Sequence, residues 1–178
     1  MEEKVNVWKA NLTNGLILAL VGIAWTLIMY FANLTFNKVQ GYVFILVQLG
    51  ALYFLLKSYR DNYMHKQITY GQSVGAGVIM CLYYSLCIAI FTYLLYSVID
   101  PGLTAKQLAF AEEAMIKKGA PQQAIDAGMA FTKKIMKPEI MAPFSILGNM
   151  IWGTILSLVV SIFIKNNEGN PLIDTTEN

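Results

Sequence analysis

Residues 67–99 read QITYGQSVGAGVIMCLYYSLCIAIFTYLLYSVI, 33 positions without a charged side chain. A helix rises about 1.5 Å per residue, so about 20 residues cross a hydrocarbon core about 30 Å thick. The stretch is long enough to cross, and it has no charged face to turn toward water. Lys66 precedes it. Asp100-Pro101-Gly102 follows it, a strong helix breaker.

The same pattern recurs on either side. There are 28 uncharged residues between Lys9 and Lys38, 18 between Lys38 and Lys57, and 25 between Glu139 and Lys165. The chain as a whole is 56% hydrophobic and 13% charged, against roughly a quarter charged in ordinary soluble domains. These features predict an all-α fold, a four-transmembrane-helix bundle with spans at about 12–33, 39–56, 71–99 and 140–164. The 39–56 span is the shortest, and Lys57 at its end can snorkel to the headgroups. Residues 1–11 read as an N-terminal segment, 12–164 as one membrane domain, and 165–178 as a polar, disordered tail. The first span reads as retained and not as a cleaved signal, since Glu2 and Glu3 occupy the would-be basic region and no A-x-A pattern follows.

About 40 residues separate the last two spans. They predict an amphipathic helical hairpin over about 103–137, too polar to cross and suited to lying on the membrane surface or capping the bundle. Thr104-Ala105-Lys106-Gln107 fits a capping box. Gly119 is placed to end the first helix, Pro121 to open the second, and Pro138 to end it. Ile125, Met129, Thr132 and Met136 form one apolar stripe, and Leu108, Ala111 and Met115 a narrower one.

Four spans place both termini on one side, with six basic residues there against seven on the hairpin side. The six crowd the span ends, where the positive-inside rule is strongest. Both termini are therefore expected on the cytoplasmic side of the inner membrane. Lys57 and Arg60 mark one interface, Asp100 and Pro101 the other.

The uncharged spans hold Asn14, Thr26, Gln48, Ser73, Ser85, Thr92, Asn149, Thr154, Ser157 and Ser161. None titrates, whereas ion-coupled transport usually needs an ionisable group at that depth. Gln48 and Asn149, near mid-span, suit hydrogen bonding between helices or a polar solute path. Small residues recur at packing spacing: Gly71 and Gly75 as G-x-x-x-G, with Ser73 and Gly77 offset beside them; Gly153, Ser157 and Ser161; and, more weakly, Gly15 and Ala19. Such stripes let backbones approach, within the chain or against a partner.

No G-x-S-x-G, H-E-x-x-H, P-loop or C-x-x-C occurs. His65 is the lone histidine, so no metal site is expected; Asp61, four residues earlier, would pair with it on a helix. Glu112 and Glu113 diverge around their helix and read as a solvated face. Cys81 and Cys87 point to different faces of one span, which excludes a bond between them. A net charge of +2 with no basic, aromatic-interleaved patch excludes nucleic acid. No cofactor is expected.

Several short motifs in order carry a resemblance. They are Lys57-Ser58-Tyr59-Arg60-Asp61, Ile68-Thr69-Tyr70-Gly71-Gln72-Ser73, Ile99-Asp100-Pro101 and Met136-Lys137-Pro138. Over about 10–165 the chain resembles the domain-of-unknown-function 4199 family, small inner-membrane proteins found widely in Bacteroidota. The resemblance implies four spans and no assigned activity. The expected function is a noncatalytic accessory or scaffold subunit of the cell envelope, with membrane lipids and a homo-oligomer or second envelope protein as partners. A small transporter or channel for a neutral or lipidic solute, and an interfacial lipid-modifying enzyme, are the alternatives.

Overall fold

The computed structural model describes residues 6–166, all helical apart from short links and one isolated β-bridge. The helices are α1 (Val7–Phe31), α2 (Lys38–Tyr63), α3 (Tyr70–Leu94), α4 (Gly102–Lys117), α5 (Gln122–Ile135) and α6 (Pro138–Ile164). A wider π-helical turn, Leu95–Ile99, prolongs α3. Helices α1, α2, α6 and α3 with its π turn are long and apolar enough to cross a membrane. The 167–178 part of the predicted tail lies outside the described residues.

Local chemistry fixes the helix starts. Asn6 opens α1, its side chain accepting from the N–H groups of Trp8 and Lys9; the helix thus begins five residues before the predicted span. Asn37 caps α2 by accepting from Val39 N–H at 2.9 Å. Thr69 and Gln72 form a complete capping box at the start of α3. The capping box expected at Thr104–Gln107 is absent, because α4 already starts at Gly102 and places Thr104 inside it. A Thr-x-x-Gln pattern caps only where the chain enters the helix at the threonine, and Pro101, with φ −59°, starts the turn earlier. Gly119 leaves α4 with φ 71°, a conformation that favours glycine. Pro138 begins α6, where its missing N–H costs nothing.

The four long helices form a bundle in which α3 is flanked by α1 and α6, while α2 packs against α1 and α6 from the other side. The termini of the bundle and the α2–α3 link share one end, the first. The α1–α2 link and the α4–α5 pair share the other, the second. The core is a single cluster running through Leu18, Leu52, Leu56, Ala76, Met80, Cys81, Leu156 and Val160. Outward faces are as apolar as the core: Leu20, Phe31, Tyr42, Leu46, Phe54, Ile151 and Phe163 are all exposed. Exposed apolar surface on every long helix is what lipid, and not water, tolerates.

The α4–α5 pair packs on itself. The predicted stripe of α5 faces inward, with Ile125 and Met129 buried, and Met115 of α4 lies against Gly128, where a Cβ would come 3.0 Å from the methionine methyl. Leu103, outside the predicted stripe, is the most buried residue of α4.

Candidate functional site

The most extensive helix contact is the seam between α3 and α6. A Cβ on Gly77 would come 2.6 Å from Ser157 Oγ, and one on Gly153 would come 2.6 Å from Cys81 Cβ. The two contacts fix an antiparallel register in which each step of four along α3 meets a step of four back along α6. Continued at the same step of four, the spacing of those two contacts carries Ser73 toward Ser161, Ser85 toward Asn149 and Ala89 toward Ser145. Ser73, Ser85, Ser157 and Ser161 are fully buried. Ser157 Oγ–H donates to Gly153 O at 2.7 Å and Ser85 Oγ–H to Leu82 O at 2.8 Å, so each hydroxyl is satisfied by its own helix and the backbones close up. Ser73 Oγ and Ser161 Oγ have no hydrogen-bond partner among the described residues.

On its other side α3 meets α1. A Cβ on Gly15 would come 2.6 Å from Tyr83 Cβ and 3.0 Å from Met80 O; one on Gly22 would come 2.8 Å from the Tyr84 ring. Ala19 is buried between them. Gly22 extends the Gly15–Ala19 stripe by two turns from Gly15 and is readable from that spacing. Asn11, fully buried in α1, carries a clearer signal: an amide four residues from the end of a span, its Nδ2–H donating to Val7 O at 2.9 Å.

Gly71 and Gly75 are exposed and meet nothing within 4 Å. They take no part in packing within the chain. Two residues separate them from Ser73 and Gly77, about 200° around the helix, so when Ser73 and Gly77 face α6 the two glycines face away. Gln48 is 4% exposed and heads the inward stripe of α2 with Leu52 and Leu56; Asn149 is half-buried.

At the first end, Arg60 pairs with Asp61 at 2.8 Å and its Nη1–H reaches Ile164 O at 3.3 Å. The guanidinium thereby covers a free carbonyl at the end of α6. Ile68 and Asn166 exchange backbone hydrogen bonds of 3.2 and 3.1 Å, and Tyr70 Oη–H donates to Leu158 O at 3.1 Å. Lys57 points outward. The Asp61–His65 pair expected on one helix does not form: α2 ends at Tyr63, His65 turns left-handed with φ 48°, and Asp61 is held by Arg60.

At the second end, Asp100 joins three elements. It accepts from Tyr30 Oη–H of α1 and from Lys106 Nζ of α4, each at 3.2 Å. The hydrogen bond from Lys106 holds its carboxyl below the usual carboxylate range, against the partial burial that opposes it; the lysine's charge, Tyr30 and the Gly102 N–H add to the effect. Pro101 follows as the N-cap of α4. Phe36 of the α1–α2 link stacks on Phe110 of α4, ring centroids 5.8 Å apart. Asp61 and His65 lie at one end of the bundle and Asp100 at the other, so these groups share no site. Among the described residues no three His, Cys, Asp or Glu side chains come together.

Four helices long and apolar enough to cross a membrane, with an apolar exterior and charged residues at both ends, are the features of a multi-pass integral membrane protein of helical fold. Residues 13–166 match the family model described as Protein of unknown function (DUF4199). The chain belongs to that family. No curated protein and no solved structure matches it.

Proposed function

We propose that this protein is a noncatalytic accessory or scaffold subunit of the bacterial cell envelope, holding a second membrane helix against α3. The observation that carries the reading is the open G-x-x-x-G face: Gly71 and Gly75 meet nothing within 4 Å, while the opposite face of the same helix is filled by α6. Glycines spaced by four on a lipid-facing surface permit close helix approach. Membrane lipids, a second copy of the chain or another envelope protein are the companions this face suits. Both termini lie in the cytoplasm of an inner-membrane protein, and the α4–α5 pair rests on the outer surface. Affinity purification in mild detergent after in-membrane crosslinking tests the role. A stoichiometric partner or homo-oligomer that is lost in Gly75→Leu is expected. A monomeric particle with no companion contradicts it.

A second reading, a small transporter or channel for a neutral or lipidic solute, draws on one observation. Gln48, an uncharged amide near mid-span, is buried inside the bundle at 4% exposure. Solute flux into proteoliposomes that falls in Gln48→Ala and Asn149→Ala would favour it over the scaffold role. The interfacial lipid-modifying enzyme has less support, since Asp61 is held by Arg60 and lies far from Asp100.

A further inference from the structure

A recess of about 250 Å³ opens at the second end, lined by Tyr30, Asn33, Thr35, Phe36, Leu103 and Lys106. We propose that it binds the phosphodiester of a phospholipid headgroup.

Depth selects the ligand's source. The recess sits where the uncharged stretches ending at Lys38 and Asp100 stop, with Asp100 bonded to its lining residues Tyr30 and Lys106, which is the level of lipid headgroups and of aromatic belt residues such as Tyr30 and Phe36. Its chemistry selects the phosphodiester. Asp100 is already engaged by Lys106, Tyr30 and the Gly102 N–H, so its acceptor capacity is largely used. Lys106 has three donors and spends one on Asp100. Its side chain is 62% exposed, so the other two are available. Asn33 and Thr35 add an amide and a hydroxyl that have no hydrogen-bond partner among the described residues. The recess therefore offers free N–H and O–H donors from Lys106, Asn33 and Thr35, beside a buried apolar floor at Leu103. Seven lysines against five acidic residues lie on this side of the bundle, which favours an anionic group over a cation. The volume suits a headgroup, leaving the acyl chains along the apolar exterior of α1.

The site does not rest on the accessory role. The test is native mass spectrometry of the full chain released from micelles doped with phosphatidylglycerol, with diacylglycerol, or with inorganic phosphate alone. Wild type is expected to retain one phosphatidylglycerol and no diacylglycerol. Lys106→Gln should lower that occupancy about tenfold, the effect of losing one charge-assisted hydrogen bond. Lys106→Arg should retain the lipid, and so should Lys117→Gln, which removes an exposed lysine of the same helix. Equal occupancy in wild type and Lys106→Gln overturns the proposal. So does equal loss in Lys117→Gln, or equal retention of diacylglycerol. Adducts with inorganic phosphate in the absence of any phospholipid adduct overturn the lipid as its source.

Discussion

Gly77 of α3 and Ser157 of α6 stand so close that a single added methyl on the glycine would meet the serine oxygen at 2.6 Å. Bulk cannot be accommodated there without moving a helix, because Ser157 is itself fully buried. Dense interiors resist overpacking at a cost of about 1–3 kcal/mol or more.

Gly77→Leu is therefore expected to lower the thermal midpoint of the purified protein in detergent, followed by circular dichroism. Gly75→Leu, two residues earlier and facing open space, should stay within about 0.5 kcal/mol of wild type. Equal destabilisation by both would mean that the seam has been assigned to the wrong face of α3.

That pair of glycines also marks where the sequence stops being readable. The four spans follow directly from the uncharged stretches, since charge is what a bilayer excludes most strongly. Which face of a span turns inward is another matter. In water an amphipathic stripe announces the core, but in lipid both faces are apolar. Two small-residue stripes run along the start of α3, and the G-x-x-x-G spelled by Gly71 and Gly75 is the more conspicuous. The faint cue to the other is Ser73, whose hydroxyl is better placed inside the bundle than in lipid. Asn11 and Asn14 give the same cue on α1, and both are buried. At the second end the sequence marks Asp100 and Pro101 as a boundary but not their partners, because Tyr30 lies 70 residues away from the carboxylate it binds. On α5 polarity gives a cue that a span lacks: Lys133 and Lys134 are exposed, while Ile125 and Met129 are buried.

Asp100 carries a pH dependence. Its carboxyl is held below the ordinary value of 3.8, chiefly by Lys106. A carboxylate whose value is lower in the folded state stabilises the fold above its unfolded value, and that contribution disappears as pH falls through the folded one. The difference in melting midpoint between wild type and Asp100→Asn should be steady from about pH 5 to 7 and shrink below about pH 4. A difference that grew on acidification would show that the ion pair is absent.

Sidedness is testable with thiol reagents on intact cells, in a background lacking Cys81 and Cys87. Asn62→Cys, in the turn ending α2, should be labelled only after the membrane is permeabilised. Gln123→Cys, at the start of α5, should be labelled from outside. Labelling of Gln123→Cys from the cytoplasm alone would reverse the orientation and move the recess beside Lys106 to the inner leaflet.

A lipid-facing partner surface on α3 and a headgroup site at the second end both require four helices lying within a bilayer. Washing isolated membranes with alkaline carbonate separates chains that cross the lipid from those that only adhere to it. The protein is expected to remain wholly in the membrane pellet. Its appearance in the soluble wash would contradict the membrane-spanning assignment, and with it the seam, the partner face and the headgroup site.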